Sequence, residues 1–242
     1  MVWAFASEID IHAAASFVRH GVPSTFWGTL PTVNLPRQPP TRKAHGMHSV
    51  LQRNQFFVKE QVGWFKAANN YDVFDPATGE CILHCREPRL GFFTKMLRMT
   101  KWKTMTPFHV EVSTPEGEPV LGVKRGTSFF ISKVDVLDES GDRVGGFKQK
   151  AFAWTATFHV LGEDDQQLCT LKGKWTAWEF NFEHNGVSLA KVSKKWAGLG
   201  KELFTSADNY MLQISDEVPA DNPLRILILA SVLCIDMVLA ER

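Results

Sequence analysis

Leu224 to Ala240 reads L-R-I-L-I-L-A-S-V-L-C-I-D-M-V-L-A, a run that holds one cation, one carboxylate and no polar face. At about 100° per residue, Ile226, Leu227, Ile228, Leu229, Val232, Leu233, Ile235, Met237, Val238 and Leu239 cover the whole circumference of a helix. Such a helix must be buried, in protein or in lipid. The stretch between Arg225 and Asp236 rises only about 15 Å, half of the roughly 30 Å of hydrocarbon that a span must cross. A carboxylate at bilayer depth is costly, so spanning is disfavoured. About ten runs that read as strands precede this segment. A β-barrel wide enough to hold a helix along its axis satisfies both observations, because barrels beyond about eight strands leave more interior than their own side chains fill.

Composition agrees with one sizeable domain: 242 residues, 44% hydrophobic and 12% aromatic, is ample for a core. A formal net charge of +1 argues neither for nucleic acid as a partner nor for an acidic tail. The distribution of charge matters more than its sum. Of the four cysteines, Cys81, Cys85, Cys169 and Cys234, the last lies in the apolar helix and acts there as a small hydrophobe. They predict a reduced, intracellular protein. Cys81, His84 and Cys85 invite a metal reading, yet on an extended run the two cysteines share one face and His84 points to the other. Packing is favoured over ligation by roughly ten to one on the ligand count. No basic stretch, apolar core and cleavage site of a secretory signal is evident at the amino terminus.

Residues 1–46 differ from the rest. Pro23, Pro31, Pro36, Pro39 and Pro40 fall there and no strand alternation persists, so a disordered or loosely packed extension is expected, with Met47 as an alternative start. Ile11 to Val18 could form only a short, marginal helix. Residues 47–242 form the predicted barrel domain. Turn signals at Asp75–Gly79, Pro115–Glu118, Glu139–Asp142, Gly162–Asp165 and His184–Gly186 divide runs rich in Val, Phe, Trp and Ile, which predicts five successive hairpins of an antiparallel meander. Gly145, Gly146 and Gly173 supply places for bends or bulges. Leu90 to Lys103 has helical spacing and reads as a connecting helix, and Ala197 to Ser206 as a short helix or turn. Asp221 or Asn222 caps the final helix, with Pro223 in its first turn.

Asn69–Asp75, Cys85-Arg86-Glu87-Pro88, Thr106-Pro107-Phe108, Lys124-Arg125-Gly126, and Lys201–Tyr210 followed by Cys234-Ile235-Asp236 resemble the LURP-one-related and phospholipid scramblase superfamily, from about Ser49 to the end. The resemblance implies the tubby-like fold, a closed twelve-stranded antiparallel barrel around a central carboxy-terminal helix. Tubby-type members bind phosphoinositide headgroups and scramblase members are linked to calcium-dependent movement of phospholipids. Fold alone does not choose among these functions.

Three sites follow. Arg89, Lys95, Arg98, Lys101 and Lys103 form a basic stretch with no acid between Glu87 and Glu111, interleaved with Phe92, Phe93 and Trp102 as membrane-contact aromatics. It suits an anionic phospholipid surface, where each cation contributes about 1 kcal/mol, and an ordinary solvated helix is weighed evenly against it. The loop Ser206 to Glu217 overlaps the segment where the resemblance implies calcium. It offers Asp208, Asn209, Asp216 and Glu217, a set short of the six to eight oxygens a calcium ion takes, with Ser206 where the scramblase pattern has a carboxylate. A capped turn entering a strand is favoured by about four to one on that ligand shortfall. Asp236, on an apolar helix, must be paired; a structural latch to a Lys, Arg or Trp of the barrel wall is expected, with an ion or proton relay as the bold alternative.

Catalysis finds no foothold. Trp196–Lys201 lacks the spacing of a phosphate-cradling loop, His109 and His159 read as structural, and Trp154, Trp175, Trp178 and Trp196 as core. The expectation is a non-enzymatic, cofactor-free phospholipid-binding module, cytoplasmic and peripheral to the inner membrane face. Phospholipid translocation, or a protein-interaction scaffold of unknown partner, is the alternative.

Overall fold

A computed structural model describes residues 47–61, 70–88, 106–126, 133–150, 156–174, 178–194 and 209–239. A 3-10 turn, Ser49–Gln52, leads into β1 (Gln55–Glu60). Then come β2 (Tyr71–Phe74), β3 (Cys81–Arg86), β4 (Phe108–Ser113), β5 (Pro119–Arg125), β6 (Lys133–Asp138) and β7 (Arg143–Gln149). β8 (Ala156–Leu161), β9 (Gln167–Lys174), β10 (Glu179–His184), β11 (Val187–Ser193), β12 (Asn209–Ile214) and α1 (Leu224–Leu239) complete the elements of the described residues. Each strand pairs antiparallel with its sequence neighbours, and β1 pairs with β12, so the sheet closes into a twelve-stranded barrel. Closure removes the exposed edges that an open meander of this length would present.

The five predicted turns are the five hairpins β2–β3, β4–β5, β6–β7, β8–β9 and β10–β11. All five lie at one end, which also receives the 3-10 turn and the entry to α1; the other connections join strands at the opposite end. We call these the hairpin end and the far end. Asn222 caps α1, its Oδ1 accepting from Leu224 N at 2.9 Å, with Pro223 next as its fixed φ favours.

Every side chain of α1 from Leu224 to Val238 is buried. The helix packs against β5, β6, β7, β12 and the 3-10 turn, and it fills the interior with Leu227, Ile228, Cys234 and Ile235, all fully enclosed. Each large side chain so enclosed contributes about 1.5–3 kcal/mol. The helix comes close to the wall at Gly145: a Cβ there would lie 2.3 Å from Leu161 O and 3.1 Å from Leu227 Cδ1.

Strict alternation fails at one place in every hairpin. The register shifts once in each pair, leaving one extra residue in the second strand: Ile82, Val120, Val144, Leu168 and Leu189. All five are buried, so each bulge turns two consecutive residues away from solvent where the barrel closes at the hairpin end. At β3 this overturns the expected face assignment. Because the extra residue Ile82 inverts the phase of Cys81, Cys81 joins His84 and Arg86 on the outer face, while Cys85 is buried against the core. Residues 1–46 and the predicted segments Leu90–Lys103 and Ala197–Ser206 lie outside the described residues.

Candidate functional site

The two charged residues of α1 mark its two ends. Asp236, three residues from the described end of the helix, accepts a hydrogen bond on Oδ2 from Tyr71 Oη at 2.5 Å, and one on Oδ1 from Tyr210 Oη. Tyr71 opens β2 and Tyr210 stands near the start of β12, so both enter from the far end on either side of β1. They are the only tyrosines in the chain. Sequence reasoning expected a Lys, Arg or Trp of the wall here; the structure shows two phenols donating to the carboxylate, one on each oxygen. Burial first, and the Asp236 charge second, holds the Tyr71 hydroxyl well above its ordinary value of 10.0, so it stays a donor. Trp178 packs on the Tyr210 ring with centroids 5.8 Å apart, and Lys194 Nζ stands 3.5 Å above the Trp178 ring.

Arg225 occupies the hairpin end. It is 2% exposed and donates to five oxygens, none a carboxylate: Pro219 O at 2.8 Å, Val218 O at 2.7 Å, Arg53 O at 3.0 Å, Leu51 O at 3.4 Å and Asn54 Oδ1 at 2.7 Å. Asn54 Nδ2 in turn donates to Asp216 Oδ1 at 2.6 Å. Burial lowers the guanidinium pKa, and the Asp216 charge opposes that shift. One side chain thus ties the entry of β1 to the loop before α1.

Charge is skewed between the two ends, although Arg53 and Arg143 lie at the hairpin end and Glu60, Asp72 and Glu179 at the far end. The hairpins carry Asp75 and Glu80, Glu116 and Glu118, Asp138, Glu139 and Asp142, and Glu163, Asp164 and Asp165; Asp216, Glu217 and Asp221 lie at the same end. Odd-numbered strands run toward the far end and carry cations at or near it: Lys59, Arg86, Lys124 with Arg125, Lys148 with Lys150, Lys172 with Lys174, and Lys191 with Lys194. Some are paired, as Lys172 is with Glu183 at 2.9 Å and Lys191 with Glu179. Lys59, Lys124, Lys148, Lys150 and Lys174 are exposed. A net charge near zero conceals this polarity.

The sequence-derived sites meet it unevenly. Arg89, Lys95, Arg98, Lys101, Lys103, Phe92, Phe93 and Trp102 lie outside the described residues, in the connection that leaves β3 at Arg86 and re-enters at Phe108 on the far end. Asp208 also lies outside them. Asn209 is buried at the head of β12, whereas Asp216 and Glu217 are exposed in the turn beyond its other end. An extended strand sets Asn209 roughly 20 Å from Asp216 and Glu217, so Asn209 does not share an ion with those two. His109 and His159 are on β4 and β8. Among the described residues no helix is long and apolar enough to cross a membrane.

A curated protein of Saccharomyces cerevisiae (strain ATCC 204508 / S288c), "Altered inheritance rate of mitochondria protein 25", is 24% identical over 198 residues, which covers 72% of this chain and 60% of the yeast protein. The match thus spans 60% of the length of that relative. The X-ray structure of a protein from Arabidopsis thaliana, AT5G01750, aligns with 80% of this chain and 98% of that one at 11% identity and a TM-score of 0.46. The family model described as Scramblase matches residues 34–242, and the chain belongs to the Scramblase family.

Proposed function

We propose that this protein is a non-enzymatic phospholipid-binding module that docks its far end on an anionic membrane, peripherally and at the inner face. The observation that carries the reading is the charge polarity: each odd strand has a lysine or arginine at or next to its far-end terminus, and the acid-free sequence Arg89 to Lys103 lies between the far-end termini of β3 and β4. Each cation near anionic lipid contributes about 1 kcal/mol, and Phe92, Phe93 and Trp102 add apolar contact. The acidic hairpins at the opposite end oppose docking in the reverse orientation. Outward positions of the wall hold exposed charges such as Glu111 and Lys124 where a lipid-facing barrel needs an apolar band, so the wall suits water.

Cosedimentation of the full chain with vesicles of neutral lipid, with and without phosphatidylserine, tests this. Binding should require the acidic lipid and weaken steeply with salt. Equal binding to neutral vesicles, or none to either, refutes the orientation and the partner together. Translocation of lipid is a separate outcome, read as headgroup exchange across reconstituted vesicles with and without calcium. It requires α1 to leave a barrel where Asp236 is held by two tyrosines. A protein scaffold with no lipid role predicts no vesicle binding at any salt.

A further inference from the structure

The outer face of β2 and β3 gathers three donor atoms of different chemistry. Cys81, turned outward by the bulge at Ile82, places Sγ 3.8 Å from His84 Nδ1, and the same Nδ1 is 2.8 Å from Asp72 Oδ1. One donor atom from each residue lies within 4.8 Å of the others, the one such group among the described residues. We propose that Asp72, Cys81 and His84 form an exchangeable zinc site with three protein ligands and one open position.

Bond lengths argue for it. A tetrahedral Zn2+ with ordinary Zn–S, Zn–N and Zn–O distances sets its S–N edge at about 3.6 Å and its N–O edge at about 3.3 Å. The observed 3.8 and 2.8 Å need shifts of half an ångström or less, within the reach of side-chain rotation. The mixed thiolate, imidazole and carboxylate set selects zinc over calcium or magnesium, which take oxygen, and over copper(I), which takes softer ligands. Backbone holds the pieces: Cys81 and His84 are three residues apart on one strand, and Asp72 pairs directly with His84 on the next.

A nucleophilic reading of the same residues fails on geometry. A thiol, imidazole and carboxylate relay needs both ring nitrogens, one toward each partner. Here both contacts fall on Nδ1. Coordination replaces the thiol proton with the metal, and any Nδ1 proton shared with Asp72 leaves with it; no electron is transferred.

Arg86 supplies a cation at this place. Its Nη2 is 2.5 Å from Asp72 Oδ1 and 3.1 Å from His84 Nδ1, while Nη1 is anchored on Tyr71 O at 2.6 Å and Cys85 O at 3.0 Å. The guanidinium competes with the metal for the Nδ1 lone pair and repels it. It therefore sets the affinity low enough for exchange.

Cobalt(II) alone, added without oxygen to the full chain, tests the site. One equivalent should bring up a thiolate-to-cobalt charge-transfer band that Zn2+ then displaces. Cys81→Ser should abolish the band, and His84→Gln and Asp72→Asn should each weaken binding at least about ten-fold. Arg86→Gln should tighten it several-fold. Cys85→Ala, Cys169→Ala and Cys234→Ala should keep the band. Thermal unfolding of each variant without metal separates loss of the site from loss of the fold; the Cys81 and His84 side chains are partly exposed, so these variants should fold. A folded wild-type chain that shows no band at one equivalent overturns the proposal. So does a band that survives Cys81→Ser, or an affinity that Arg86→Gln lowers or leaves unchanged.

Discussion

The hairpin end and the far end of this barrel solve the same problem with opposite signs. At the hairpin end a buried cation, Arg225, stands where the turns are rich in acids; at the far end a buried carboxylate, Asp236, stands where the odd strands finish on or beside cations. Both charges are at the wrong ends of the helix dipole, which favours acids at the start and bases at the finish by about 0.3–1 kcal/mol. Each is therefore held by dedicated partners. Arg225 has rigid backbone carbonyls, while Asp236 has two phenols that enter from separate strands. The lesson is one of division of labour: the hairpin end is tied by main chain and short turns, and the far end by side chains, next to the long connections.

The comparison breaks first at Arg225. Arg225→Met leaves five oxygens short of a donor and should cost about 4 kcal/mol in urea unfolding, since buried acceptors lose their partner all at once. A loss under about 1 kcal/mol would show that the hairpin end closes without it. Next comes Gly145→Ala at the bulge of β7, where the new methyl meets Leu161 O and Leu227 and should destabilise by about 3 kcal/mol. The m-value should stay unchanged.

At the far end, Tyr71→Phe removes one of the donors to Asp236 and should cost about 2 kcal/mol by the same assay. The sign of its pH dependence is fixed by the raised Tyr71 pKa. The contribution is complete below pH 10.0, the ordinary value, and is lost as pH rises from there through the folded value, because the unfolded tyrosine sheds its proton first. In a Tyr210→Phe background Tyr71 is the sole tyrosine, so ultraviolet difference absorbance should show no tyrosinate at pH 10.0 until the chain unfolds. An ordinary titration there would mean that Tyr71 leaves Asp236. The smallest effect sharpens the outer polarity: Lys150→Gln should weaken binding to acidic vesicles by about 1 kcal/mol, and Glu163→Gln should not weaken it.

Much of this was legible in the chain. The turns at Asp75–Gly79 and Gly162–Asp165 were readable because glycine and aspartate there answer to local geometry, and the apolar helix because no water-facing side exists on it. The charge polarity was also present, as a lysine or arginine at or next to the end of each odd strand and acids in the hairpins, but it takes the strand directions to sort them into two ends. The faces of Cys81 and Cys85 were misread because strict alternation ignores a bulge; the adjacent pair Ile82-Leu83 after the turn was the signal, repeated in Val120-Leu121 and Leu168-Cys169. The tyrosines on Asp236 left no local trace, being 165 and 26 residues away in sequence.

By itself the sequence determined the meander, its turn positions and a helix that had to be enclosed, since each follows from short-range sterics or from the burial of apolar surface. Tertiary structure alone decided which groups share an end or a face. Barrel closure brings β1 against β12 and so sets Tyr71 and Tyr210 on one carboxylate, and a single inserted residue moves Cys81 from inside to outside. Such pairings depend on register, and register is a property of strands matched across space, which no stretch of chain carries alone.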